Sequence, residues 1–442
     1  MKRPKGFFPA VLALFLVTTV PAVRAQIRGT IIGPAGRAYP IALAPLHPAD
    51  GTLRAGGRDP GVEFVDILGR DLELSGLFRV LDREAYLENP TNSGISAEEI
   101  RFENWSVIGA LALVKGSYAV EGERLTVEAR LFDVYQRRQL AGSRYKGTVA
   151  DLRRMAHKFA DKILEEFTGE RGPFDTQIAF ISTRTGRFKD LFVMSPDGGD
   201  ILQVTETRSI AVAPAWSPDG HRLAYTSYKY GNPDLYLIDF VTGRESRLSS
   251  GPGLHLGAEW SPDGQWIAVA LEREGNSEIV LLDSKGRFVR RLTDHWGIDV
   301  SPTWSPDSSR IAFCSNRAGT PQIYVMNADG TDIRRITYFG DYNTSPQWSP
   351  KGDRIAFASR RAGNEFDIFV VRPDGTDLRR ITSGPGSNED PSWSPDGRYL
   401  VFSSTREGPP LLYLTDAEGR HQVALTGPPG GDTSPAWSRW RE

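Results

Sequence analysis

Cysteine is almost absent from this chain, and histidine is scarce. Cys314 is the one cysteine among 442 residues, so no internal disulfide can form. We predict that it packs inside a strand as a small apolar side chain. The six histidines are scattered and never stand at the spacing of metal ligands, so no metal centre is predicted.

Sequence motifs of catalysis and cofactor binding are missing as well. There is no Gly-x-Ser-x-Gly nucleophile elbow, no His-Glu-x-x-His zinc motif and no glycine-rich phosphate loop. The stretch 327–332, Asn-Ala-Asp-Gly-Thr-Asp, is similar to a calcium loop but lacks the closing Glu, so an ordinary hairpin turn is predicted. These absences predict a protein that needs no cofactor and is not an enzyme.

One long hydrophobic run is present, at residues 6–20, and it is short for a membrane span. Lys2, Arg3 and Lys5 precede it, and the small-residue pattern Val23-Arg24-Ala25 follows it. This arrangement is typical of a secretory signal peptide, residues 1–25, cleaved after Ala25. We therefore expect a soluble chain in an exported compartment.

The chain has no excess of positive charge. It carries 53 basic and 55 acidic residues, a formal charge of −2. Removal of the signal peptide takes away four basic residues and no acidic one, which moves the formal charge to −6. A nucleic-acid partner would favour a basic domain, so that class of partner is not expected.

Tryptophan recurs at a nearly fixed interval of 44 or 45 residues through the second half of the chain. Most copies open a Trp-Ser-Pro turn, which leads into a short apolar strand and then two further strands. Four short strands in a repeat of this length are typical of a β-propeller blade. The recurring residues are Trp216, Trp260, Trp304, Trp348, Trp393 and Trp437.

The two ends of the repeat region complement each other. The apolar strand at 178–180 has no Trp strand before it, and Trp437 has no apolar strand after it. Joining the two half-units gives a six-bladed ring and removes two exposed sheet edges. We therefore predict a six-bladed β-propeller over residues 174–442, closed by its C-terminal Trp strand.

The preceding residues, 26–170, lack the repeat and predict a small α/β domain. Asp59-Pro60 is a plausible helix start, and apolar residues at 62, 65, 68 and 72 follow at helical spacing. Residues 111–120, 124–134 and 139–147 read as strands, and 150–168 as the clearest helix, ending at Gly169. The fold class is therefore α/β followed by all-β.

The loop after each apolar strand carries a basic residue two positions before a glycine. Two readings remain open: these cations pair with nearby acids such as Asp190, Asp234, Glu278 and Asp367, or they form an electrostatic collar for an acidic partner. Repeated turn residues are usually scaffold, which favours the first. The cations are Arg184, Lys229, Arg273, Arg317, Arg361 and Arg406.

Strand alternation assigns the loops to two ends of the propeller. The Trp-Ser-Pro turns share one end, and the basic loops share the other with the variable connections that lead into each Trp strand. Variable loops on a repeated scaffold are where binding is expected, and we expect these side chains to surround the channel mouth. They include His255, Asp299, Asn343, Thr344, Asn388, Glu389, Asp432 and Thr433, beside Arg273, Arg317 and Arg361.

The order of these features resembles the TolB family, the propeller proteins of the Tol-Pal system in Gram-negative bacteria. The resemblance covers essentially the whole mature chain. It rests on the signal peptide, the α/β domain, the helix that leads into Phe174-Asp175-Thr176-Gln177-Ile178-Ala179-Phe180, and the six blades. The segment Leu74-Ser75-Gly76-Leu77-Phe78, with Leu81-Asp82-Arg83, is also similar to the family's first domain.

The resemblance implies a periplasmic adaptor without enzymatic activity. It implies that the propeller binds the peptidoglycan-associated lipoprotein Pal through the channel mouth, with His255 at the position of a lipoprotein-contacting histidine and Ser301 at a position that can be acidic in the family. It also implies a role in outer-membrane integrity and in the inward movement of that membrane at cell division. An exported propeller hydrolase or lyase that uses the central channel is the alternative.

The mature N-terminus is implied to bind TolA, an inner-membrane-anchored protein. The matching segment, residues 26–37, contains no Asp or Glu. Its candidate contact residues are Gln26, Ile27, Arg28, Thr30, Ile31, Ile32 and Arg37.

Overall fold

The computed structural model describes residues 38–49, 59–88, 94–249, 253–273 and 275–441, without the side chains at 254 and 273. The predicted signal peptide and the segment 26–37 lie outside the described residues. The architecture predicted from the sequence, an α/β region followed by a six-bladed propeller, is confirmed. No helix among the described residues is long and apolar enough to span a bilayer.

The N-terminal region is one mixed sheet covered by two long helices. Strands run in the order β3-β1-β4-β5-β6, with β1 parallel to β3 and β4 and the remaining neighbours antiparallel. The elements are β1 Tyr39–Leu43, β2 His47–Pro48, α1 Pro60–Leu74, β3 Phe78–Val80, α2 Phe102–Val107, β4 Ala112–Glu121, β5 Arg124–Asp133, β6 Arg138–Thr148 and α3 Leu152–Thr168.

Local chemistry sets the ends of the two long helices. The Asp59 carboxylate accepts hydrogen bonds from the N–H groups of Gly61 and Val62, and Pro60 begins α1 with a backbone angle that suits a helix. Helix α3 ends at Gly169, whose φ of 77° is favourable for glycine alone.

Six four-stranded antiparallel sheets follow around a central channel, and the Trp strand is innermost in each. Blade 1 consists of β7 Ile178–Ser182, β8 Asp190–Met194, β9 Leu202–Gln203 and the C-terminal strand β30 Asp432–Trp437. Blade 2 is β10 Ala211–Trp216, β11 Arg222–Ser227, β12 Asp234–Asp239 and β13 Arg244–Ser249. Blade 3 is β14 Leu254–Trp260, β15 Trp266–Arg273, β16 Asn276–Asp283 and β17 Phe288–Arg291.

Blades 4 to 6 repeat the pattern. Blade 4 is β18 Asp299–Trp304, β19 Arg310–Ser315, β20 Gln322–Asn327 and β21 Arg334–Arg335. Blade 5 is β22 Asn343–Trp348, β23 Ile355–Arg360, β24 Phe366–Val371 and β25 Arg379–Arg380. Blade 6 is β26 Asn388–Trp393, β27 Tyr399–Ser404, β28 Leu411–Asp416 and β29 Gln422–Ala424.

The repeated tryptophans join each blade to its neighbour. The Trp216 indole donates to the carbonyl of Ala436 at 3.0 Å, and the Trp393 indole donates to that of Gln347 at 3.1 Å. Each bond crosses from one inner strand to the previous one, so the buried indole N–H is satisfied where the ring packs between sheets. The period in the sequence is therefore the period of blade-to-blade packing.

The N-terminal region packs directly on the propeller. One hydrophobic cluster contains Phe159 of α3 together with Tyr399 of blade 6 and Trp437 of blade 1. The Asp161 carboxylate on α3 accepts from the N–H groups of Phe174 and Asp175 at 2.7 and 3.0 Å. Helix α3 thus fixes the chain segment that leads into the first blade.

Candidate functional site

The channel has two different ends, which we call the Trp face and the basic-loop face. The Trp face carries the Trp-Ser-Pro turns, where the inner strands end. The basic-loop face carries the connections between second and third strands, and the connections that lead into the inner strands. Every candidate residue on the propeller belongs to the basic-loop face.

The repeated cations of this face whose side chains are described are paired inside the scaffold, most of them with partners that differ from those expected. Arg184 binds Asp432 at 2.5 Å and Arg317 binds Asp299 at 2.6 Å, where each acid is the first residue of the inner strand of the same blade. Arg406 donates to Asn388 at the equivalent position, at 2.8 Å. These side chains therefore hold the inner strand to the loop beside it.

The acids expected to pair with the basic loops mostly bind the outer strand or its following turn instead. Asp234 binds Arg247 at 2.5 Å, Glu278 binds Arg291 at 2.5 Å, and Asp190 accepts from Thr205. Lys229 pairs with Glu245, and Arg361 pairs with Glu365. The expected ion pair between Arg361 and Asp367 is present at 3.7 Å, and Asp367 also binds Arg380. The side chain of Arg273 lies outside the described residues.

Four candidate residues do not face the channel mouth as expected. Asp299, Asn343, Asn388 and Asp432 are fully buried. Each begins an inner strand. The side chains of Asp299, Asn388 and Asp432 accept hydrogen bonds within their own blades, and the Asn343 amide donates to Gln322 of the preceding blade. His255 is also buried. Their burial corrects the expectation that these five side chains line the mouth.

The next residue of each inner strand does remain partly exposed. Thr344, Glu389 and Thr433 are half-buried. Burial raises the pKa of Glu389, and the neighbouring charge of Asp390 raises it further. These three candidate side chains can meet a partner at the mouth.

A ring of unusual backbone follows one step deeper in the channel. Ser301 has a φ of 53°, and the residues at the same position of the other inner strands also have positive φ. In each strand the pairing register shifts at this point, as in a β-bulge. The other residues are Ala213, Gly257, Ser345, Asp390 and Ser434.

Three members of this ring are connected by hydrogen bonds. The hydroxyl groups of Ser345 and Ser434 donate to the two carboxylate oxygens of Asp390, each at 3.1 Å. Sequence reasoning missed this group. The signal that could have found it is the constant position of these residues, one before a proline in five of the six inner strands.

The Trp face has a different lining from the basic-loop face. The six tryptophans line a cavity of about 130 Å³ that also contains Glu259 and Arg439. Burial raises the pKa of Glu259 to about 7, and the charge of Arg439 opposes that rise. A carboxyl group and a guanidinium therefore occupy this end of the channel.

Exposed aromatic side chains were also missed. Tyr230, Trp296 and Tyr338 all lie in connections of the basic-loop face, and their exposed fractions are 75%, 71% and 75%. Lys229 and Arg335 lie 5.8 and 4.9 Å from the ring centres of Tyr230 and Tyr338. These three side chains give the basic-loop face exposed aromatic surface, of the kind that is enriched at protein interfaces.

One group of three potential metal ligands occurs among the described residues, Asp71, His157 and Asp197. It joins α1 and α3 of the N-terminal region to the turn between β8 and β9 of blade 1, at the end of the blade opposite the basic loops. Asp71 bonds His157 at 2.7 Å, and Asp197 bonds Arg153 at 2.5 Å. These bonds join the three side chains and Arg153 into an ion-pair cluster.

Comparison with known proteins agrees with this architecture. The family model described as the TolB beta propeller domain matches residues 164–441, and the model of the TolB amino-terminal domain matches residues 28–140. The chain belongs to the TolB family. A crystal structure of TolB from Acinetobacter baumannii superposes with a TM-score of 0.78 at 26% identity, over 91% of this chain and 97% of that one.

Relatives with the name Tol-Pal system protein TolB share parts of the sequence. The protein of Syntrophotalea carbinolica is 45% identical over 218 residues, 49% of each chain. That of Desulfosudis oleivorans is 42% identical over 192 residues, 42% of this chain and 44% of the relative. The chain thus spans about half the length of the curated relatives it matches.

Proposed function

We propose that this protein is a periplasmic, non-enzymatic adaptor of the Tol-Pal system. It binds the lipoprotein Pal and the protein TolA, and in this way maintains outer-membrane integrity and supports membrane invagination at cell division. The observation that carries the proposal is the match of both TolB family models, one after the other, to most of the chain. The shared name of its relatives points to the same system.

Pal binds at the basic-loop face in this proposal. Thr344, Glu389 and Thr433 offer partly exposed polar groups at the mouth, while the buried first residues of the inner strands keep those groups in place. Trp296 and Tyr338 offer exposed aromatic surface on the same face. Interfaces commonly combine aromatic anchors with a polar surround, and this face supplies both.

Calorimetry with the soluble domain of Pal tests the site. Thr344→Arg together with Thr433→Arg fills the mouth with long cationic side chains, and binding should weaken at least tenfold. Val241→Arg is the matched control, since Val241 is 72% exposed in a turn of the opposite face. Equal affinity of the mouth variant and the native protein would reject this face as the lipoprotein site.

The aromatic anchors need a separate variant. Trp296→Ala should raise the dissociation constant roughly thirtyfold, because truncation of an interface hot spot costs about 2 kcal/mol. The side chain is exposed, so the variant should keep the native unfolding midpoint. An unchanged dissociation constant would exclude Trp296 from the interface and leave the mouth residues to be tested alone.

TolA is proposed to bind the segment 26–37, which precedes β1. A protein that begins at residue 38 should lose TolA binding and keep Pal binding, and the two can be measured on the same preparation. Retained TolA binding would contradict the assignment.

Turnover of a glycan or peptide substrate that Glu259→Gln abolishes would instead favour a channel enzyme over the adaptor.

A further inference from the structure

A buried group of ionisable side chains lies where α1 and α3 meet blade 1. Asp71 of α1 is 0% exposed and His157 of α3 is 3% exposed, and Asp71 Oδ2 lies 2.7 Å from His157 Nδ1. Asp197, in the turn between β8 and β9, places a carboxylate oxygen within 4.8 Å of both. Two elements of the N-terminal region and one propeller turn therefore share a single electrostatic site.

Arg153 completes the charges of this site. It binds Asp197 at 2.5 Å and Asp200 of the same turn at 3.1 Å, and Asp200 is largely exposed. When His157 is protonated, the charges of Asp71, His157, Asp197 and Arg153 cancel. Loss of the His157 proton leaves one uncompensated negative charge in a buried contact, and buried charge without a partner is costly.

Two atoms of the pair have no hydrogen-bond partner among the described residues. They are Asp71 Oδ1 and His157 Nε2, both buried. A buried polar atom without a hydrogen-bond partner weakens the contact that contains it. Because the contact around the pair is weakened in this way, a change in the protonation state of the pair can alter how firmly the helices hold the propeller turn.

The direction of the proton dependence follows from the surroundings. Burial raises the pKa of Asp71 to about 6, although the charge of His157 opposes that rise. Burial by itself lowers the pKa of His157, but the charge and hydrogen bond of Asp71, with the charge of Asp197, raise it overall. Both groups therefore hold a proton more tightly in the folded contact than in water.

Asp161, one turn further along α3, behaves in the same way. Burial raises its pKa to about 7, against the hydrogen bonds from the N–H groups of Asp175 and Phe174. A raised pKa means stability that is present in mild acid and lost as the pH rises through the folded value. The Asp71–His157 pair and Asp161 thus both favour the docked arrangement at low pH.

We propose that Asp71, His157 and Asp197 form a proton-controlled latch between the N-terminal region and blade 1. With the proton in place, the helices and the propeller turn are held together by a neutral group of charges. After its loss, Asp71 and Asp197 repel each other across the contact, and the helices loosen from the turn. The shared apolar core keeps the two regions associated in both states.

Hydrogen exchange of the full mature chain, read by mass spectrometry over residues 152–176 and corrected for the intrinsic pH dependence of exchange, tests the latch. Protection should fall between pH 6 and pH 8.5, by up to about tenfold per pH unit for one linked proton. The variant Asp71→Asn with His157→Gln keeps similar volume without ionisable groups. Its corrected protection should fall less steeply than that of the native chain over the same range, because only Asp161 of the three groups still titrates there.

Asp197→Asn provides an independent arm, because it removes the repulsion without touching the helix pair. Its corrected protection should fall less steeply with pH than that of the native chain. Lys162→Gln is the matched control, since Lys162 and its partner Glu165 form an exposed pair on the same helix, 3.9 Å apart. It should keep the native profile.

Two results would overturn the latch. One is a native profile without pH dependence, or one that the paired variant reproduces. The other is stoichiometric zinc in the purified chain whose removal by a chelator changes protection, because the cluster would then be a metal centre.

Discussion

Asp432 should be one of the most stabilising side chains of the propeller, because it fastens the last strand to the first. Its carboxylate is fully buried and accepts from the Ser182 hydroxyl at 2.5 Å and from Arg184 Nη2 at 2.5 Å and Nε at 3.3 Å. Removal of one partner of a buried ion pair typically costs about 3–5 kcal/mol. We expect Asp432→Ala to cost that much.

In the Asp432→Ala variant, Arg184 loses its carboxylate partner and cannot easily reach water. Its side chain is 14% exposed, and its guanidinium carbon lies 5.4 and 5.8 Å from the ring centres of Phe180 and Phe192. The penalty of an unpaired charge therefore remains after the substitution. A double-mutant cycle with Arg184→Ala should show this as a favourable coupling of about 2 kcal/mol or more.

Asp432→Asn is the informative comparison. Blade 6 has Asn388 at the same position, where its oxygen accepts from Arg406 Nη2 and from the Ser404 hydroxyl, each at 2.8 Å. An amide thus fits the site without rearrangement, and we expect a cost of about 1 kcal/mol, as for loss of charge assistance in one hydrogen bond.

Urea unfolding followed by tryptophan fluorescence measures both variants, provided that the transition slope is unchanged. The shift in urea midpoint multiplied by the transition slope gives the change in the free energy of unfolding. A change of less than about 1 kcal/mol for Asp432→Ala would refute the reasoning. So would an Asn variant as unstable as the Ala variant, because the damage would then not come from the unpaired arginine.

Other consequences can be measured on the same instruments. Ser301 has a φ of 53°, which glycine adopts easily and a branched side chain does not. In urea unfolding, Ser301→Gly should therefore keep or raise the free energy of unfolding, and Ser301→Val should lower it by about 1–2 kcal/mol. Trp440→Phe removes the indole donor to the Gly172 carbonyl at 2.8 Å and should speed proteolysis of the adjoining segment, with equal rates contradicting the contact. The raised pKa of Glu259, about 7, predicts that native stability falls from pH 5 to pH 8, whereas Glu259→Gln, which lacks the titrating group opposite Arg439, should fall less.

The periodic part of the fold was predictable because packing imposes it on the sequence. Each blade needs one large ring against its neighbour, so the tryptophans mark the blades and the unpaired half-units mark the closure. The hairpin turns were predictable for a similar reason: the loop at 327–332 is closed by Asp329, which accepts from the N–H and hydroxyl of Thr331 as an ordinary turn residue does.

The orientation of the candidate residues was not predictable in the same way. Simple alternation along an inner strand fails at the bulge, where Ser301 adopts a positive φ that sequence rules assign to glycine. The first residue of the strand therefore turns into the blade, as Asp299 does towards Arg317. The exposure of Trp296 could not be predicted either, because the six repeated tryptophans of the propeller are all buried.

The shared first blade also determines when the propeller can finish folding. Ser182 and Asp432 are 250 positions apart and meet in one sheet. Contacts between residues so far apart in sequence form late, because the entropy cost of closing a long loop must be met before the contacts contribute stabilising free energy. Five blades can assemble from local hairpins as the chain emerges, but the ring stays open until residues 432–437 arrive. A chain whose residues 432–437 have not yet emerged would therefore have an incomplete first blade, and its last strand would set the moment at which the ring closes.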